Sequence, residues 1–262
     1  MAGLKSLMKD TMIYGMSSIV GRFLNYLLVP LYTAKLAVES GGYGIVTEVY
    51  SYVALLLVLL TFGMETAFFR FINKEGEAQP LRVYSTTLIA VGSVGLAFVA
   101  AVLLGLGPIS EWMGYAAHPE YIGMMAVCVA LDAFQCIPFA SLRYRPQALK
   151  FAALKLTFIF LNIAANLAYF LLLGGNDVFY IFAINLACTA FITLLFWREL
   201  TGFAWRLDGR LLRQMLSYAW PILVLGIAGI LNQTADKIIY PHVATTLNGQ
   251  TPHTQLGIYG AC

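Results

Sequence analysis

Seven stretches of this chain are each long and apolar enough to cross a lipid bilayer, and the gaps between them are too short to hold a separate domain. They run approximately over 11–34, 44–70, 83–105, 120–142, 151–173, 178–197 and 214–239. A helix needs about 20 mostly apolar residues to traverse the hydrocarbon core. Strands of a β-barrel would read as short alternating segments, and these runs do not alternate. The gaps carry breakers and charges instead, as in ESGG at 39–42, NKEGEAQP at 73–80 and GGND at 174–177. Charged residues make up only 11% of the chain, against about a quarter in a soluble domain. With 60% hydrophobic residues and a mean hydropathy of +0.77, lipid has to cover much of the surface. The expected fold class is therefore all-α, a polytopic membrane helical bundle of about seven transmembrane helices.

The positive charges orient it. Lys5, Lys9, Arg70, Lys74, Arg82, Arg143, Arg145, Lys150, Lys155, Arg198, Arg206, Arg210 and Arg213 fall at one end of the expected spans. Lys35 and Lys237 fall at the other, and Arg22 lies inside the first span. Cytoplasmic loops collect Lys and Arg, so the N-terminus is expected inside. The opening MAGLKSLMKD reads as a short amphipathic lead-in, because the apolar run after it is too long for a signal peptide and has no small-residue cleavage site. Residues 1–197 would form a six-helix bundle, 198–213 a basic cytoplasmic linker, and 214–262 the first helix of a second bundle with an outer loop. The final LGIYGAC reads like the first turns of an eighth helix, so a truncated reading frame or a fragment is expected.

Polar groups at membrane depth mark the candidate site. A charge at the bilayer centre costs roughly 2.5–3.5 kcal/mol on insertion scales, so it persists where it faces a cavity or a partner. Arg22 falls about 16 Å into the first span at 1.5 Å per residue, too deep for easy snorkelling. Thr11, Ser18, Arg22, Asn25 and Tyr32 share a helical face. Lys155, Asn162, Asn166 and Tyr169 repeat the pattern in the fifth span; Cys128, Asp132 and Gln135 supply the fourth, and Asn185, Thr189 and Thr193 the sixth. Arg22, Asp132, Asn162 and Asn185 fall near one level, which suggests a shared hydrophilic site of the kind found in secondary transporters. The plainer reading is an Arg22–Asp132 ion pair and interhelical amide bonds, each worth about 0.6 kcal/mol. Glu48 and Glu65 lie toward the ends of the second span, where headgroup exposure is the simple expectation. Asp236, with Asn232 and Gln233, closes the seventh. Pro30, Pro138 and Pro221 can bend their helices.

No motif of a cofactor, metal or catalytic site is present: H-E-x-x-H, G-x-S-x-G and the P-loop are all missing. His118, His242 and His253 read as solvated loop residues. Cys128, Cys136, Cys188 and Cys262 show no paired spacing and read as small core residues. A net charge of +3 gives no footprint for nucleic acid.

Several stretches, taken in order, carry a family likeness: GRFLNYLLVPLYTAKL at 21–36, GGYGIV at 41–46, FGMETAFFRF at 62–71, ADKIIY at 235–240 and LGIY at 256–259. In these the chain resembles the polysaccharide (O-antigen and capsule) flippases of the multidrug/oligosaccharidyl-lipid/polysaccharide exporter superfamily. The matching positions include Gly63 and Arg70 at the end of the second helix and Asp236 with Lys237 at the end of the seventh. Members are about twice this length, with two bundles forming a V, and this chain would be the N-terminal half, with a C-terminal half expected elsewhere. The resemblance implies flipping of an undecaprenyl-pyrophosphate-linked oligosaccharide across the bacterial cytoplasmic membrane, for lipopolysaccharide or other surface-polysaccharide export. It implies no cofactor and no enzymatic step. Partners would be the lipid-linked oligosaccharide and membrane lipids, with polysaccharide polymerase or export machinery as further candidates. Arg22 would contact the headgroup, and Asn25, Asn162, Asn166 and Asn185 would hydrogen-bond sugar or phosphate. Asp132, Glu48, Glu65 and Asp236 would serve as coupling groups or charge partners. Competing readings are a drug/cation antiporter of the same superfamily, which favours a carboxylate-dominated cavity, a seven-helix receptor or sensor, and a membrane-embedded transferase or structural subunit.

Overall fold

The computed structural model describes residues 12–13, 15, 28–36, 42–74, 80–201, 206–246 and 250–261. Six helical segments among them meet the length and apolarity of a bilayer crossing: Gly42–Asn73, Pro80–Leu104, Pro119–Tyr144, Ala148–Leu172, Val178–Leu195 and Gly209–Val243. They match the second to seventh expected spans. Most of the first span, including Arg22 and Asn25, lies outside the described residues, and its described end is α1 (Leu28–Lys35).

The second crossing is broken. α2 (Gly42–Thr61) and α3 (Met64–Lys74) join through Phe62 and Gly63, both with positive φ, +49° and +65°. Glycine suits the second position for two reasons. It adopts a left-handed conformation without strain, and a Cβ there would come within 3.1 Å of Ile222 on the last long helix. α4 (Pro80–Leu104) and the short α5 (Leu106–Trp112) follow. α6 (Pro119–Tyr144) starts on a proline, which gives up an amide that would lack a helical partner anyway. α7 (Ala148–Leu167) runs on into a π turn, Ala168–Leu172, that turns Phe170 into the core. α8 (Val178–Leu195) is capped by Asp177, whose carboxylate accepts the Phe179 amide at 2.9 Å. After the single turn and a half of α9 (Trp197–Thr201), α10 (Gly209–Val243) runs 35 residues, starting earlier and ending later than the apolar run suggested. Asp208 sets its start by accepting the amides of Arg210 and Leu211, both at 2.9 Å. α11 (Pro252–Ala261) then turns back against α2.

α6 is the axis of the bundle. Two thirds of its apolar window is buried, against 17–39% for the other crossings, and α2, α4, α7 and α8 pack around it. The outer helices keep their large apolar side chains on the surface: Leu96, Leu104, Leu172, Leu194 and Leu225 are all more than 70% exposed. In water such a surface would drive aggregation; against hydrocarbon it is at rest. Two large apolar clusters flank α6. One joins Leu28, Tyr32, Val46, Cys128 and Phe182; the other joins Phe68, Val83, Leu88, Ile137 and Met215.

The bundle's ends differ in charge. At one end Arg82 pairs with Asp208, Arg143 with Glu65 and Lys150 with Glu199, with Arg145, Arg198, Arg210 and Arg213 nearby in sequence. This is the cation-rich end. The opposite end holds Glu48, Tyr115, His118, Glu120, Asp177, His242 and His253. Two of the three histidines depart from the solvated-loop expectation: His242 lies in the last turn of α10 and His253 in the first turn of α11, whereas His118 is exposed in the loop before α6.

Candidate functional site: a polar seam between two cavities

A chain of polar side chains runs through the apolar bundle. It begins at Tyr32 on α1, whose hydroxyl donates to Asn166 Oδ1 at 3.0 Å. The Asn166 amide donates to the Asn162 carbonyl at 2.8 Å and to Asn162 Oδ1 at 3.2 Å, one turn back along α7. Asn162 reaches Asn185 on α8 at 3.4 Å, and Asn185 donates to Cys128 Sγ on α6 at the same distance. Thr189, one turn along α8, lies 3.5 Å from Cys128 Sγ and donates to Asp132 Oδ1 at 3.4 Å. Gln135 completes the seam by donating to the Thr189 carbonyl at 3.0 Å and to Thr193 Oγ1 at 2.7 Å. The i, i+3 and i, i+4 spacings legible in the sequence produce this: each helix turns one polar stripe toward its neighbours.

The seam borders two cavities of about 610 Å³ each. The one toward the cation-rich end is lined by Thr61, Glu65, Gln135, Arg143, Lys155 and Phe139, among others. Its cations are held differently. Arg143 pairs with Glu65 and lies over the Phe69 and Phe151 rings, 5.3 and 5.7 Å from their centroids. Lys155 sits 4.1 Å from the Phe139 ring centroid and forms no ion pair within 4 Å with a described residue. The second cavity, toward the opposite end, is lined by Tyr32, Tyr43, Thr47, Tyr50, Ser51, Asn162, Asn185, Thr234 and Lys237. Among the described residues three line both: Leu57 on α2, Asp132 on α6 and Phe158 on α7. The two cavities, one toward each end of the bundle, thus adjoin at Leu57, Asp132 and Phe158.

The sequence-derived candidates among the described residues fall into three groups. Asn162, Asn166, Asn185 and Asp132 come together in the seam. Glu65 lines the cation-rich cavity, paired with Arg143. Glu48 and Asp236 lie elsewhere. Glu48 is fully buried rather than exposed to headgroups, and Asp236 accepts the Tyr259 hydroxyl at 2.6 Å on an exposed face of α10. Arg22 and Asn25 are outside the described residues. Lys155, read in the sequence on the polar stripe of the fifth span, and Lys237, read with Asp236 at the end of the seventh, line the cavities, as does Arg143, counted in the sequence only for orientation.

Lipid-facing leucines outside and a continuous polar seam inside define a multi-pass membrane protein built around an interior polar path. The sequence matches the polysaccharide biosynthesis protein family over residues 7–261, and the chain belongs to that family. No curated protein matches it. Two solved structures share its fold. One is an inward-facing conformation of a multidrug resistance MATE family transporter of the MOP superfamily, with TM-score 0.68, 16% identity, and 96% of this chain and 60% of that one covered. The other is an outward-facing conformation of such a transporter, with TM-score 0.67, 17% identity, and 97% and 57% covered. At these identities the likeness is one of fold. The chain spans 57–60% of the length of these solved transporters.

Proposed function

We propose that this chain is the N-terminal part of a transporter that moves a lipid-linked, pyrophosphate-bearing oligosaccharide across the bacterial cytoplasmic membrane, with its cation-rich end in the cytoplasm. Residues 1–197 are read as the first bundle, 198–213 as the linker, and 214–262 as the start of a second. The observation that carries the reading is the pair of cavities meeting at Leu57, Asp132 and Phe158, each with a lysine in its wall. A pyrophosphate offers several oxygen acceptors, and bonds from charged donors to such oxygens are the strong kind. Lys155, held over an aromatic ring, has its ammonium available for an arriving anion. The amides and hydroxyls of the seam suit sugar hydroxyls, which both donate and accept. Arg22 and Asn25 on the first helix stay in the proposal as headgroup contacts, Asn162, Asn166 and Asn185 as contacts to sugar or phosphate, and Asp132 as the charge partner or coupling group. The chemistry is carriage rather than catalysis.

One observation favours a second reading, a drug/cation antiporter. Asp132 lines both cavities and Glu65 one of them, and carboxylates recruit cations. A binding measurement separates the two. The protein in lipid nanodiscs is titrated with a short-chain polyprenyl-pyrophosphate oligosaccharide and, separately, with a lipophilic quaternary ammonium dye. Lys155→Met is expected to weaken the pyrophosphate ligand about tenfold or more, the cost of one charge-assisted bond, and to leave the dye unaffected. Dye binding that Asp132→Asn abolishes, with no measurable pyrophosphate binding, would overturn the proposal in favour of the antiporter.

A further inference from the structure

Glu48 lies less than two turns into α2 with its side chain fully buried. Its Oε2 accepts the Tyr115 hydroxyl at 2.6 Å, while Oε1 accepts no hydrogen bond. Two imidazoles from the far part of the chain close on it. His253 Nδ1 is 3.2 Å from Oε2, and His242 Nε2 is 4.0 Å from Oε1 and 3.1 Å from the Tyr52 hydroxyl. Trp112 stacks on His242, ring centroids 5.5 Å apart, and Tyr115 lies against His253 at 5.7 Å. The cluster therefore ties α2 and the segment around α5 to the end of α10 and the start of α11.

We infer that Glu48, His242 and His253 form a proton-binding clasp that holds α10 and α11 against α2 at the cation-poor end. A buried carboxylate with one tyrosine donor is not adequately neutralised; burial of such a charge is tolerated when it is paired. A proton on the imidazole pair supplies the counter-charge. Histidine is the side chain whose ordinary charge change falls between about pH 5 and 8. When the imidazolium returns its proton to the adjoining water, the carboxylate is left buried and uncompensated, and separation of the helices hydrates it. Re-closing takes one proton back from the same side.

The other groups around Glu48 do not replace that proton. Tyr115 and Tyr52 are hydroxyl donors, and burial, with the Glu48 carboxylate second, pushes the Tyr115 hydroxyl well above its ordinary range, so it stays protonated. On α6 Asp132 accepts the Thr189 hydroxyl in the seam, and Glu120 lies 3.0 Å from His118 Nδ1. On α10 Asp236 is bonded to Tyr259, and Lys237 lines the cavity. The described residues form no group of three metal ligands here.

The surrounding contact is one that can open and shut. Gly44 of α2 meets the His253 carbonyl and the Gly257 amide so closely that any Cβ would overlap them, and Gly260 faces Thr47. Here the backbones of α2 and α11 are in contact, and the clasp is the polar tie across them. Tyr43, Thr47, Lys237 and Gly260, all beside this contact, wall the second cavity, so parting α11 from α2 widens it. The inference needs only that these helices separate, and it stands whichever cargo the cavities hold.

Spin labels at Ala117→Cys and Ala261→Cys, with the native cysteines replaced, report the separation by pulsed electron paramagnetic resonance in nanodiscs. Both positions are exposed. The short-distance population is expected to fall severalfold from about pH 5 to 8. Glu48→Gln, which keeps the shape and removes the charge, should stay short throughout. His253→Gln should favour the long distance across the same range. Distances that do not change with pH, or a Glu48→Gln protein that shifts like the parent, would overturn the clasp. Should Glu48→Gln fail to fold, an unaltered pH response in His253→Gln does the same.

Discussion

Asp208 holds two elements with one carboxylate. Oδ1 accepts the Arg210 and Leu211 amides that open α10, and Oδ2 pairs with Arg82 at the start of α4. The Leu211 amide, then the Arg82 guanidinium, hold this carboxyl below the ordinary aspartate range. A depressed folded value means its contribution is fully present above the unfolded value, about 3.9, and is lost as pH falls through the lower folded one. Asp208→Asn keeps a capping oxygen and loses the ion pair. It should therefore melt below the parent at neutral pH, and the two melting curves should converge as the pH falls through the depressed folded value. A gap in Tm that is constant from neutral to acid pH would contradict this. At this scale the sequence is legible only in part. The stripe of Asn162, Asn166 and Lys155 could be read from spacing alone, because one helix carries all three. Glu48 could not, because Tyr115, His242 and His253 decide its burial from elements distant along the chain.

At the scale of elements, hydropathy windows located the described crossings well, because in lipid the length of an apolar run is itself the structural constraint. It located breaks and ends less well. α10 outruns its apolar window because Asp208 caps it early and because a helix need not stop where hydrocarbon does. The break at Phe62–Gly63 lies inside one continuous apolar run, where no window can detect it. Gly63→Ala tests how far that break is required. A non-glycine residue in the left-handed region costs about 1–2 kcal/mol, and the added methyl also meets Ile222 at 3.1 Å. The variant should lose about 1–3 kcal/mol of stability in unfolding from mixed micelles. Gly229→Ala on α10, where nothing lies within 4 Å of the new Cβ, is the control and should be neutral or slightly stabilising. Equal effects at the two sites would mean that the break is incidental.

For the whole molecule, the decisive feature is that two cavities share a wall of Leu57, Asp132 and Phe158. No sequence pattern announces a cavity, which is a relation among α2, α6 and α7 rather than a property of any one of them. The wall makes a prediction that needs no knowledge of the cargo. Cys136 is half-buried and lines the cation-rich cavity, whereas Cys128 and Cys188 are buried. With Cys128, Cys188 and Cys262 replaced, a membrane-impermeant maleimide should modify Cys136 from the cation-rich face and not from the other. Phe158 is the largest apolar side chain in the shared wall, so Phe158→Ala should admit the reagent from both faces, and Phe158→Trp should preserve the one-sided pattern. Labelling is read in oriented vesicles by the mass increment on the intact protein. Two-sided labelling of the parent would mean that the cavities are one continuous channel, and the separation that the proposed transport requires would have to lie elsewhere. Two-sided labelling confined to Phe158→Ala would identify that ring as the barrier between the membrane's two faces.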